Sequence, residues 1–153
     1  MQERYLGQMV DETWYSKIES YILTILKYEL VQKISAPYPN LNCTTSNQEE
    51  SLEFVGDFPT MYVHMLPPYE VGRDLTNDNV NGISCTFELI VYSDKSENEC
   101  RKIITAGIQQ MKRLHFNVET FPDPRTSDKK YIAISRLNRV IASGDKELVP
   151  QEE

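Results

Sequence analysis

The chain has 153 residues, of which 40% are hydrophobic and 25% charged, with nine Tyr, five Phe and one Trp; this excludes a disordered or collagen-like chain and fits a single globular domain. A domain of this length hides roughly 70% of the surface its unfolded chain exposes, so it builds a core without disulfide or metal staples. Sixteen basic against 23 acidic residues give a net charge of −7, which opposes a phosphate backbone unless the basic residues gather on one face.

They do not gather into a stripe: Lys112-Arg113 form a local cluster, with Lys129-Lys130 further on. No apolar run reaches the roughly 18 residues a membrane helix needs, and no basic-then-apolar leader is visible. The three cysteines, Cys43, Cys85 and Cys100, are odd in number and contain no Cys-x-x-Cys. Buried thiols in a reducing compartment are therefore expected, rather than a disulfide framework or a zinc ribbon.

Residues 1–10 are mixed in character and expected to be flexible. From Asp11 to Ile34 the chain has no Gly or Pro. Trp14, Ile18, Tyr21, Ile22 and Ile25 recur at spacings of three and four, with Leu26, Leu30 and Val31 widening that face, so a long amphipathic helix is predicted over 11–34. Ala36-Pro37-Tyr38-Pro39 stops it, because proline lacks a donor and disfavours helix in the residue before it. A short strand is predicted over 41–46, ahead of the polar run Ser46-Asn47-Gln48-Glu49-Glu50-Ser51. From Thr60 to Leu66, Met61, Val63 and Met65 alternate with Tyr62, His64 and Leu66, and apolar residues on both faces predict a covered, interior strand. Pro67-Pro68 ends it.

Residues 67–82, with two Pro, two Gly, three Asn and two Asp, read as a long loop without an element of its own, the kind that usually carries function. The strand from Ile83 to Tyr92 places Cys85, Phe87, Leu89 and Val91 on one face and Ser84, Thr86 and Glu88 on the other. Ser96 and Glu99 form a capping-box pattern. It opens a helix over 97–114 whose apolar stripe is Cys100, Ile103, Ile104, Gly107, Ile108, Met111 and Leu114, with Lys102, Gln109 and Lys112 turned away. Gly107 inside that stripe costs about 1 kcal/mol against Ala and so marks close approach to a sheet.

Phe116 to Phe121 is predicted as a strand, residues 122–128 as a turn, and Lys130 to Ser143 as a long strand. In that strand Ile132, Ile134, Val140 and Ala142 share one phase, and Leu137 and Ile141 the other. After Gly144 the tail is polar, acidic and expected to fray. The expected fold is thus α+β in the order α-β-β-β-α-β-β, a mixed or antiparallel sheet of four to five strands with two helices packed on one face. The domain spans 11–143, between a flexible start at 1–10 and an acidic tail at 144–153.

Residues suited to catalysis are sparse. His64 stands in an apolar strand and His115 closes an apolar helix, both expected as hydrogen-bonded structural residues. No phosphate-binding glycine loop, dinucleotide fingerprint, metalloprotease helix or nucleophile elbow is present. Cys100 begins a helix, where a thiolate is favoured, yet it heads the apolar stripe and reads as a core thiol. Asn77, Asn79, Asn81, Gly82 and Glu88 match positions of a calcium-loop template, but with one carboxylate the ligand set is too poor in charge, and an Asn-rich turn is preferred. Glu88 with Asp94-Lys95 is spaced wrongly for a metal-dependent nuclease. No cofactor and no metal are expected.

The order of elements resembles the tail terminator (tail completion) proteins of long-tailed bacteriophages over about residues 9–143. The resemblance rests on the helix 11–34, the strand Phe58-Pro59-Thr60-Met61-Tyr62-Val63-His64-Met65 and the loop with Gly72-Arg73-Asp74-Leu75-Thr76-Asn77. It continues through Cys85-Thr86-Phe87-Glu88-Leu89-Ile90-Val91-Tyr92-Ser93-Asp94, which runs into the helix 97–114, and closes with Ser135-Arg136-Leu137-Asn138-Arg139-Val140. It implies a structural virion protein, not an enzyme, made in the bacterial host cytoplasm. Such a protein forms a ring, commonly a hexamer, at the head-proximal end of the tail, ends tube polymerisation and offers the head connector a docking surface. Its implied partners are copies of itself, the tail tube protein and the head-side connector, with no membrane and no sequence-specific nucleic acid, though DNA passes through the ring. Family contacts through the extended loop and sheet edges imply interface residues Tyr69, Arg73, Asp74, Asn77, Asp78 and Glu88. The alternatives are another head–tail joining protein (stopper or adaptor) or minor tail component, an acidic immunity-type binder, and a small enzyme or ligand-binding domain with a site at Tyr62, His64 and Glu88.

Overall fold

The computed structural model describes residues 14–45, 59–72, 81–127 and 130–149. The expected start of the first helix at 11–13, the polar run at 46–51 and the loop residues 73–80 lie outside them. The first helix opens with a 3₁₀ turn, Trp14–Lys17, runs as α1 over Ile18–Lys27 and finishes in a π-turn, Tyr28–Gln32. Its buried residues are Ile18, Ile22, Leu26 and Leu30, whereas Tyr21 and Ile25 are only half-buried. A strict spacing of four drifts by about 40° per step on an α-helix. The wider π-turn, closed by Lys33 N–H donating to the Tyr28 carbonyl at 3.0 Å, brings Leu30 back over the core.

The sheet is mixed and has seven strands among the described residues: β1 (Asn42–Thr44), β2 (Thr60–Met65), β3 (Tyr69–Val71), β4 (Gly82–Ser93), β5 (Asn117–Thr120), β6 (Arg125–Ser127) and β7 (Lys130–Ala142). The second helix, α2, spans Glu97–Arg113. Hydrogen-bonded neighbours run β1-β2-β4-β7-β5, with β3 on β4 and β6 on β7. Among the described residues only β1 and β2 pair in parallel.

The α+β class and the two helices on one face stand; the strand count and order differ from expectation. Two short strands were hidden in segments read as loop and turn. Pro67 and Pro68 interrupt pairing, since neither has a donor, but Tyr69-Glu70-Val71 rejoins β4 opposite Ser84, Ile83 and Gly82. The predicted loop 67–82 therefore contains an element. Likewise β6 emerges from the predicted turn 122–128 and pairs back on β7.

The core lies between the helices and one face of the sheet. It joins the α1 stripe to Cys43, Met61, Val63, Ile83, Cys85, Phe87, Leu89 and Val91, to Cys100, Ile103, Ile104 and Met111 of α2, and to Ala133, Leu137 and Ile141. Phe87 meets Phe116 edge-on at 5.6 Å between ring centres. At Gly107 the helix touches the sheet as its sequence implied, for a β-carbon there would fall 2.8 Å from Met61 Cε and 3.3 Å from Leu89 Cδ1. Ser96 caps α2 by accepting from Glu99 N–H at 3.1 Å, but the Glu99 carboxylate does not complete a capping box. It accepts from the Ser93 hydroxyl at 2.6 Å and so ties the helix start to the end of β4.

The domain does not end at 143, and the tail does not fray over 144–149. Leu148 and Val149 are buried in the core. Arg139, in the core-facing phase of β7, holds them there. Its Nη1 donates to the Leu114 carbonyl at 2.8 Å and to Glu147 at 2.9 Å, and Nη2 donates to Asp145. A cation at the C-terminal end of α2 also meets the negative end of the helix dipole. Asp145 accepts from the N–H groups of Glu147 and Leu148, turning the chain inward.

Candidate functional site: the outer face of the sheet

Register and the period of two place the remaining side chains of β2, β3, β4 and β7 on the face away from both helices. Cross-strand rows follow from the pairing. The first rows are Thr60–Tyr92–Ile132 and Tyr62–Ile90–Ile134. Next come His64–Glu88–Arg136, then Thr86–Asn138–Asn117, and last Tyr69–Ser84–Val140.

The first two rows form a small second cluster in which Tyr62, Ile90 and Tyr92 are buried and Ile132 packs against them. Tyr62 and Tyr92 meet edge-on at 5.8 Å, a favourable ring geometry. In the third row Arg136 Nε donates to Glu88 at 2.9 Å. In the fourth, Asn138 spends its amide on the Ser84 hydroxyl (3.0 Å), the Cys85 carbonyl (3.2 Å) and the Thr86 hydroxyl (2.9 Å). The last row opens out, with Tyr69 65% and Val140 58% exposed on either side of a buried Ser84, while Ile134 is 40% exposed.

Of the implied interface residues, Tyr69 and Glu88 share this face two rows apart, and Arg73, Asp74, Asn77 and Asp78 lie outside the described residues. Tyr62, His64 and Glu88 also share the face, but among the described residues each is engaged by a different neighbour. Tyr62 is packed into its aromatic cluster and Glu88 is held by Arg136. His64 Nδ1 lies 3.6 Å from Glu19, whose carboxylate accepts from the Met65 N–H at 2.8 Å, where β1 no longer runs beside β2. A groove of about 400 Å³, lined by Pro37, Tyr38, Asn98, Arg101, Lys102 and Thr105 among others, sits on the helix side and contains none of the three.

His115, at a left-handed φ of 68° just past α2, faces Glu147 at 3.1 Å. Burial pushes the thiols of Cys43, Cys85 and Cys100 from 9.0 up to about 12, with Glu19 adding to the rise at Cys85 and Glu99 and Glu97 at Cys100; Lys27 opposes it at Cys43. Cys100 donates its thiol to the Val91 carbonyl at 3.2 Å. All three are therefore protonated core residues rather than nucleophiles. Among the described residues, no group of three or more His, Cys, Asp or Glu is placed to hold a metal ion, and no helix is long and apolar enough to cross a membrane.

Sequence reasoning did not single out Val140 and Ile134 as surface residues of interest. Their signal was present in the alternation of β7, where two apolar phases compete and only one can face the helices. No protein-family model matches the sequence, and no curated protein matches it.

Proposed function

We propose that this chain is a structural subunit that assembles with copies of itself into a ring, commonly six-membered, on the head-proximal end of a phage tail tube. There it ends tube growth and presents a docking surface to the head connector. In this reading the molecule works by fit and not by turnover, and DNA crosses the ring through a lumen that its acidity keeps from adhering. The reading is supported by the order of elements that resembles tail terminator proteins. The observation that carries it is that, among the described residues, both helices pack on one side of the sheet, while Tyr69 and Val140 on the other side stand exposed. The two differently built edges of the sheet, at β1 and at β5/β6, carry no further strand among the described residues. Open edges and faces of this kind serve as templates for other chains.

The test is the mass of the particle in solution, alone and after mixing with purified tail tubes, together with electron micrographs of the tube ends. A terminator gives rings confined to tube ends and arrests elongation when added to polymerising tube protein. A stopper or adaptor binds connector and leaves elongation unaffected. A chain that stays at 17.8 kDa in both conditions and leaves tube length unchanged removes the proposal.

A further inference from the structure

Basic residues that lie scattered in the sequence are collected on one side of α2. Arg101, Lys102, Lys112 and Arg113, a quarter of the chain's sixteen cations, are all exposed. On a helix of 3.6 residues per turn they fall within an arc of about 120°, opposite the buried Cys100, Ile103, Ile104, Gly107 and Met111. Among the described residues none of the four takes part in an ion pair. Glu99, at the start of the same helix, is engaged instead by Ser93 at 2.6 Å and by Lys95 at 3.9 Å. The two pairs of cations differ in what accounts for them. Lys112 and Arg113 stand in the last turn, where the helix dipole favours positive charge. Arg101 and Lys102 stand toward the opposite end, where it does not, and they line the groove of about 400 Å³ formed with Pro37 and Tyr38. That groove is apolar at Pro37 and Tyr38 and carries polar groups at Asn98 and Thr105.

We propose that this groove is a docking site for an extended acidic segment of a partner polypeptide, whose carboxylates pair with Arg101 and Lys102 while a neighbouring apolar side chain rests on Pro37 and Tyr38. Charge complementarity selects this occupant. Two unpaired cations in a chain of net charge −7 make a local positive field that draws a carboxylate to the groove and away from the acidic remainder of the surface. Arg101 accommodates a carboxylate through two parallel hydrogen bonds. Asn98 and Thr105 supply the donors and acceptors that the peptide groups of an extended segment require. A nucleic acid fits less well. It carries a charge on every unit, yet the exposed side of α2 continues from Arg101 and Lys102 through Thr105 and Gln109, and about 16 Å of helix separates the two pairs of cations. The volume of the groove lies at the small end of the range for ligand sites, enough for a side chain and its flanking backbone. The site does not depend on ring formation.

The test titrates the full chain, at low salt, into a fluorescein-labelled peptide of Glu, Leu and Pro, into the same peptide with Gln for Glu, and into labelled oligo-dT, with fluorescence anisotropy as the readout. The Glu peptide is expected to bind and the Gln peptide to stay free. Arg101→Gln/Lys102→Gln should weaken binding at least about ten-fold, whereas Lys112→Gln/Arg113→Gln, which removes the same charge from the same helix, should weaken it less than about three-fold. Thr105→Trp keeps every charge and fills the groove from an exposed position, so it should also abolish binding. All five positions are exposed, and each variant is expected to keep the wild-type melting temperature. Equal weakening by the two charge variants would mean attraction to the helix at large and overturns the groove, as does undiminished binding by the Thr105→Trp chain. Oligo-dT that binds more tightly than the Glu peptide, and is lost with Arg101→Gln/Lys102→Gln, assigns the groove to nucleic acid and overturns the proposal. A wild-type chain that leaves the Glu peptide free, or binds the Gln peptide equally well, overturns it outright.

Discussion

The two faces of one sheet are built to different rules although they come from the same strands. Toward the helices most rows are apolar and closed, with Val91 beside Met61 and Ala133, Leu89 beside Val63, and Phe87 beside Leu137, and the buried Ser135 in the Leu89 row donates its hydroxyl to the Thr120 carbonyl. The one charged side chain in that phase of β7, Arg139, is matched by two carboxylates and a carbonyl. On the outer face apolar, charged and amide rows succeed one another, and the polar ones are bonded sideways within the sheet. The first face derives its stability from burial. The second is graded: its first two rows are buried around Tyr62, Ile90 and Tyr92, and its last row exposes Tyr69 and Val140.

The comparison breaks most visibly at Ile104, which is fully buried in α2. Ile104→Asp places a charge without a partner in the covered core. We expect at least about 4 kcal/mol of lost stability, read as collapse of the urea midpoint or failure to fold at all. A variant that melts like the wild type would mean that α2 does not cover this face.

Much of this contrast was legible in the residues. The period of two in Cys85, Phe87, Leu89 and Val91, and the stripe from Cys100 to Met111, each run long enough to define a face without tertiary information. Gly107 announced its own close contact. What stayed hidden depends on partners distant in sequence. β3 and β6 are three residues each, too short for any alternation to register, and each exists only because β4 or β7 is already there to pair with. The docking of Leu148 and Val149 was missed because the residues around them are polar. Its trace lay elsewhere, in Arg139, which falls in the same phase as Leu137 and Ile141. A charge in a core phase requires buried partners, and Asp145 and Glu147 were the nearest acids. Tyr69 and Glu88, implied as interface residues by the family resemblance, fall on one face of the sheet. Val140 and Ile134 could be placed on the surface only after the helices had been assigned to the other face.

A smaller effect, and one confined to the covered face, comes from its three thiols. Their folded values of about 12 stand above the ordinary 9.0, so the fold favours the protonated form. The sign follows by linkage: their contribution is complete below pH 9 and is lost as pH rises toward 12, because the unfolded chain releases protons that the folded chain retains. Urea midpoints should thus fall between pH 9 and 11 more steeply in the wild type than in a Cys43→Ala/Cys85→Ala/Cys100→Ala chain, whose lower starting stability is read separately at pH 7. The folded wild type should also leave a thiol-specific dye unreacted at pH 8. Parallel slopes in the two chains would remove burial as the cause.

The smallest effect belongs to the outer face. Val140 is 58% exposed, so little of its side chain leaves water when the single chain folds, and Thr keeps the β-branched shape that a strand favours. Val140→Thr should change the unfolding free energy by no more than about 0.5 kcal/mol, measured by urea titration of the dilute monomer. The same substitution in a strand position facing the helices, such as Val91→Thr, places a hydroxyl where no water reaches and should cost about 1–3 kcal/mol. The two strands are paired neighbours, and the exchange is chemically identical, so the ratio of the two costs isolates the environment of each face from the intrinsic preference of the residue. Equal costs would mean that Val140 is already covered within its own chain, and the outer face would lose its claim as a surface held open for a neighbour.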